Sequence, residues 1–190
     1  MKLKFSTLAI VIIALAALSR ILPHPPNVTP VAAMGIFGAA YFTSKRLAYL
    51  IPFLALFVSD LILNNFFLRA FYPEAHGIIW FTKISVFVYL GFALTIFASQ
   101  FLLKKIKFSN IVLATVLSSL IFFIVSNLGV WLTVTNVTTS FAGLIEVYVA
   151  GLPYFLNSII GNFFFVALFF GIAEYVRNRN FSFITQDIPL

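Results

Sequence analysis

The chain contains no cysteine, so neither a disulfide nor a thiolate metal site can form. Acidic residues are nearly as scarce, five in all, and charged side chains of both signs make up only 9% of the 190 residues. A soluble domain carries roughly 25% charge to cover its core with a solvated surface, so an ordinary globular protein is excluded. The net charge of +7 does not make a nucleic-acid-binding face, because 12 basic and five acidic side chains cannot coat a surface of this size. Histidine occurs twice, as His24 and His76. No Gly-x-Ser-x-Gly, His-Glu-x-x-His or phosphate-cradling glycine loop is present, and these absences argue against an enzyme, a resident cofactor or a metal centre.

What the chain does have is apolar length. Hydrophobic residues make up 62% of it, and the mean hydropathy is +1.09. That content matches about six spans at about 20 apolar residues each. Six stretches can be drawn at Phe5–Leu22, Pro30–Phe42, Leu47–Leu63, Ile79–Leu103, Ile111–Leu132 and Leu152–Val176. They lack the polar–apolar alternation of barrel strands. The expectation is an all-α, polytopic membrane protein with six transmembrane helices, residues 1–190 forming a single integral membrane domain.

Charge sets the orientation. Lys2, Lys4, Lys45, Arg46, Lys104, Lys105, Lys107, Arg177 and Arg179 all fall on one side of the six stretches. Arg20 and Arg69 fall on the other, and Lys83 lies just inside the fourth stretch. Basic residues near span ends stay in the cytoplasm. Both termini are therefore expected inside, in the cytoplasmic (inner) membrane. A competing reading makes the first stretch a cleaved signal peptide, with Lys2 and Lys4 before an apolar run and small residues at Ala14 and Ala16. The apolar run continues past that cut, and six spans suit the charges at both ends.

The segment from Arg20 to Pro30 holds four prolines in eight residues, Pro23, Pro25, Pro26 and Pro30, which forbid helix and favour a stiff, extended path. Thr29 reads as the N-cap of the next helix, with Pro30 its first residue. That helix, about 21 Å long, falls short of a ~30 Å hydrocarbon core, so either the bilayer thins or the proline loop dips inward. The amides at its start offer a site for an anionic or carbonyl group. A rigid exterior hairpin without a ligand is the plainer alternative.

The remaining intramembrane polar residues gather toward the outer half. Asp60 and Asn64 share a helical face, as do Asn127 and Trp131, and as do Tyr154, Ser158 and Asn162, with Asn157 a quarter-turn away. An acidic residue near a span centre costs about 2.5–3.5 kcal/mol on insertion scales and usually faces a bundle interior or cavity. Asp60 is the one acid deep in a span; its plain role is hydrogen-bond acceptor for Asn64 or a neighbouring helix. For each asparagine the plain role is interhelical glue worth about 0.6 kcal/mol. The inner halves, Leu54-Ala-Leu-Phe-Val and Phe163-Phe-Phe-Val-Ala-Leu-Phe-Phe, are apolar. Together this predicts a cup open to the outside with an apolar floor.

Trp80, Trp131, Tyr72, Tyr148 and Tyr154 suit an interfacial aromatic belt, and Trp131 is also placed to stack on a ligand. The semi-apolar stretch Thr133–Gly151 predicts a short interfacial helix acting as a lid. Gly35 and Ala39 form a small-xxx-small pair on the second span. Asn27-Val-Thr and Asn136-Val-Thr match glycosylation sequons, a pattern common by chance.

Three runs carry a family resemblance: R-I-L-P-H-P-P-N-V-T-P-V-A-A-M, S-N-L-G-V-W and Y-V-A-G-L-P-Y-F-L-N-S-I-I-G-N. They resemble a poorly characterised bacterial family of proposed transport proteins. That family is in turn similar to the substrate-binding S components of energy-coupling-factor (ECF) vitamin transporters. The resemblance implies an S-component-like bundle that holds a vitamin-sized substrate near the outer surface. It also implies a partnership with an ECF-type scaffold subunit and cytoplasmic ATPases. S components often dock through an Ala-x-x-x-Ala face on their first helix. Here Ala9, Ala14, Ala16 and Ala17 never fall four apart, which leaves docking through the second helix, or a solitary transporter, as alternatives. Characteristic positions within the matches are Arg20, His24, Asn27, Asn127, Trp131, Asn157 and Asn162. With Asp60 and Tyr154 they make the expected substrate-binding set. Small-molecule uptake is the leading expectation, with an ion-coupled secondary transporter using Asp60, or a non-transporting membrane scaffold, as the others.

Overall fold

The structure is a computed structural model that describes residues 5–134 and 138–178. Among these residues every regular element is helical: α1 (Phe5–Ser19), α2 (Val31–Tyr41), α3 (Lys45–Ile62), α4 (Ser85–Leu102), α5 (Phe108–Thr133) and α6 (Phe141–Asn178). Four are long and apolar enough to cross a membrane: α3 with its extension to Phe67, α4, α5 and α6; α1 and α2 are shorter apolar helices.

Each of the six apolar stretches contains a helix, but several boundaries move. α1 stops at Ser19, and the fourth helix starts at Ser85, so the stretch from Ile79 begins with loop and Lys83 is exposed ahead of the helix. α3 runs on through one wide π turn, Leu63–Phe67, closed by the Leu68 amide on the Leu63 carbonyl at 2.8 Å, and a 3₁₀ turn at Arg69–Phe71 follows. Two side chains from these turns hold the 72–84 loop. Asn65 exchanges hydrogen bonds with the backbone of Ile79, and Arg69 donates to the carbonyls of Ala75 and Gly77.

The largest correction concerns the expected lid. Residues 141–151 are not a separate interfacial helix. They are the first turns of α6, which continues through Pro153 without a break for 38 residues, about 57 Å. Thr29 is likewise not the cap of α2. Pro30 occupies that position, without a side-chain hydrogen bond, and the Met34 amide bonds to its carbonyl at 2.8 Å.

α2, short as it is, forms the central post of the bundle and packs against all five other helices. Nine of its 11 residues are buried, so it has no single apolar stripe and needs small side chains on several sides. A Cβ at Gly35 would lie 2.9 Å from the Phe92 ring of α4; one at Gly38 would lie 2.8 Å from the Pro52 ring of α3. The glycines thus set the distances to two neighbours. The alanines of α1 also face inward, with Ala9, Ala16 and Ala17 buried within the chain's own core.

Helices consecutive in the chain alternate in direction. Gly91 of α4 meets Phe122 and Val125 of α5 while Gly129 of α5 meets Phe87, and Tyr148 of α6 reaches the Ile124 carbonyl while Asn162 reaches Ser119. One end of the bundle therefore carries the proline loop, the 72–84 loop and the start of α6. The opposite end carries Lys45, Arg46, Lys104, Lys105, Lys107 and Arg177; Lys2, Lys4 and Arg179 lie outside the described residues.

Candidate functional site

A cavity of about 630 Å³ opens at the proline-loop end. Its walls come from Arg20, the loop after it, and the helices α2, α4, α5 and α6. The loop contributes Asn27 and Thr29, α2 contributes Val31, Ile84 stands just ahead of α4, and α4 itself contributes Val88. α5 contributes Phe122, Phe123, Ser126, Asn127 and Val130; the first turns of α6 contribute Glu146, Val147, Ala150, Tyr154, Phe155 and Ser158. The segment expected to be a lid is therefore a wall.

Local contacts explain how the walls hold their shape. Asn27 has φ +63°, a left-handed backbone that asparagine tolerates better than most residues, and this turns the loop toward α2. Asn157 of α6 donates to the Pro26 carbonyl at 3.1 Å. One turn further on, a Cβ at Gly161 would fall 3.0 Å from the Val28 Cα, so the glycine lets loop backbone lie directly on the helix. At Gly151 a Cβ would fall 2.5 Å from Asn127 Oδ1, so the glycine leaves room for the Asn127 side chain between α5 and α6. Phe123 and Phe155 meet behind this contact with ring centroids 4.7 Å apart.

Beneath the main cavity lies a pocket of about 30 Å³, lined by Asn27, Thr29, Ser119, Ser158 and Asn162 among others. It has the size and the polar partners to suit a single water-sized group. Asn162 donates to Ser119 Oγ at 2.9 Å, and Ser119 donates to the Thr115 carbonyl at 2.9 Å. Below this level α2 and α6 are sealed by aromatic rings: Phe37 packs on Tyr41, Phe169 and Phe170 at 4.5, 5.8 and 5.4 Å. The expected apolar floor is present between these helices. It is not uniform, however, because Thr95 and Ser99 of α4 and Ser118 of α5 bury hydroxyls that have no hydrogen-bond partner.

Arg20 lies at the cavity wall and closes the gap between α1 and α3. One terminal nitrogen meets Asp60 Oδ1 at 2.7 Å; the other donates to Ser59 Oγ and the Leu56 carbonyl. The side chains are 12% and 16% exposed, and Tyr89 lies beside Asp60 with its hydroxyl buried. Asp60 is thus committed to Arg20 rather than to Asn64.

Of the expected binding residues, Arg20, Asn27, Asn127 and Tyr154 line the large cavity, and Asn162 lines the pocket below. The other four do different work. Asp60 stands behind Arg20, and Asn157 pins the loop. His24 is exposed on the loop, its Nδ1 3.0 Å from the Pro25 carbonyl, and does not line the cavity. Trp131 donates to the Ser140 carbonyl at 3.2 Å and is also outside the lining. Asn136 lies outside the described residues. The residue that sequence reasoning missed is Glu146. It is one of only five acids, set within the apolar run Leu144-Ile-Glu-Val-Tyr, and that isolation was the available signal. Among the described residues no three His, Asp or Glu side chains gather into a metal-sized cluster.

A family model matches residues 1–184, nearly the whole chain. The chain belongs to DUF6580, a family of unknown function. No curated protein and no solved structure matches it. The match covers every element that builds the cavity of this DUF6580 member, from the end of α1 to α6.

Proposed function

We propose that this DUF6580 protein takes up a small organic molecule across the cytoplasmic membrane, binding it in the cavity with the proline-loop end outside. The observation that carries the reading is the cavity itself: about 630 Å³, within the range of small-molecule sites, lined mostly by apolar side chains with a few polar groups among them, and closed below by the aromatic seal. In this reading all six helices cross. The shortness of α1 and α2 is made up by the proline loop, which is packed against protein rather than lipid at the level of Gly161. The basic end then faces the cytoplasm, as the retention of positive charge requires.

Operation like an ECF S component fits the helix count and the placement of the cavity. Because three of the four alanines of α1 are buried inside the bundle, an energising scaffold subunit would meet another surface. The pairing of Asp60 with Arg20 weighs against a free proton or cation site at Asp60, as stand-alone ion coupling would need.

Native mass spectrometry of the protein purified from its own membranes tests the reading. A bound small molecule is expected in the wild type and absent from Ala150→Trp, which fills the cavity. No adduct in the wild type, or an undiminished one in the filled variant, would overturn it.

A further inference from the structure

Two charged residues line the large cavity, Arg20 and Glu146. They are not equivalent. The Arg20 charge is met at 2.7 Å by Asp60, with Ser59 Oγ and the Leu56 carbonyl accepting hydrogen bonds from its other terminal nitrogen. At a distance such a pair is nearly neutral. Glu146 is exposed at the cavity wall and has neither an ion pair nor a hydrogen bond among the described residues. The cavity therefore presents one unmatched negative charge. Phe122, Phe123 and Phe155 stand in the same walls, and aromatic faces attract cations as well as apolar surface.

We infer that the cavity selects an organic cation, with an ammonium-type group at Glu146 and an apolar or aromatic body against these phenylalanines. The inference rests on the cavity being the ligand site proposed above, and it reverses the charge that Arg20 alone would suggest. The first amides of α2 and the side chains of Asn27 and Asn127 remain to satisfy a carbonyl or hydroxyl elsewhere on the same molecule.

Three probes that share a phenylethyl body test it on the purified full chain: phenethylammonium, 2-phenylethanol and 3-phenylpropanoate. The ammonium should bind the wild type at least about fivefold more tightly than the alcohol, and the preference should shrink as salt is added. It should vanish in Glu146→Gln and survive in Glu146→Asp, while the alcohol binds all three proteins alike and so reports an intact cavity. Tightest binding of the propanoate, or an ammonium preference unchanged in Glu146→Gln, would overturn the inference and leave the binding cavity standing. Binding of none of the three would remove both.

Discussion

The guanidinium of Arg20 and the carboxylate of Asp60 meet at 2.7 Å, joining the residue after α1 to the last turn of α3 at the wall of the cavity. Both side chains are largely buried, so removing either one strands the other's charge. Asp60→Asn and Arg20→Met should each lower stability by about 3 kcal/mol. The double variant Arg20→Met, Asp60→Asn should lose less than the sum of the single changes, because no charge is left behind. Unfolding of the four proteins in one detergent checks this; additive losses would show that the two groups are independent.

The seating of the proline loop depends on Gly161. Glycine to alanine inside an ordinary helix gains up to about 1 kcal/mol. At Gly161 the new methyl would press on the Val28 backbone at 3.0 Å, so Gly161→Ala should destabilise and widen the cavity mouth. At Gly171 no atom lies within 4 Å of the added Cβ, and Gly171→Ala should be neutral or stabilising. Thermal melting of the pair gives the comparison; equal shifts would mean the loop does not rest on α6.

Ser118 of α5 is fully buried with an unpartnered hydroxyl. A buried polar group without a partner costs about 1–3 kcal/mol, part of which Ser118→Ala should recover. Ser119→Ala should instead be unfavourable, because Ser119 accepts from Asn162 and donates to Thr115. The expected order of melting temperatures is Ser118→Ala above wild type above Ser119→Ala. The reverse order would assign Ser118 a bond that only forms in another state of the protein.

How much of this was legible in the sequence differs by scale. The helices were, because apolar length is a property of consecutive residues. The π turn after Ile62 was not, since it is fixed by Asn65 reaching Ile79 across the loop. The start of α6 was hidden by Gly143, Gly151 and Pro153, which resemble loop residues until Gly151 is seen to make room for Asn127. Shared faces were readable for Asn127 and Trp131, but a face does not name the neighbour. Trp131 turns to Ser140, and Asn127 alone reaches the cavity. The partner of Asp60 lies on another helix, and nothing in the spacing around Asp60 points to Arg20. Glu146 stood out only by its rarity.

Because the chain is free of cysteine, single cysteines can map the cavity in intact cells. With a membrane-impermeant maleimide added outside, Asn127→Cys and Ser158→Cys should label, and Phe37→Cys, buried in the aromatic seal, should not. Lys104→Cys, at the basic end, should label only after the membrane is opened. Labelling of Lys104→Cys from outside, or failure of both cavity positions to label, would contradict an outward-opening binding site.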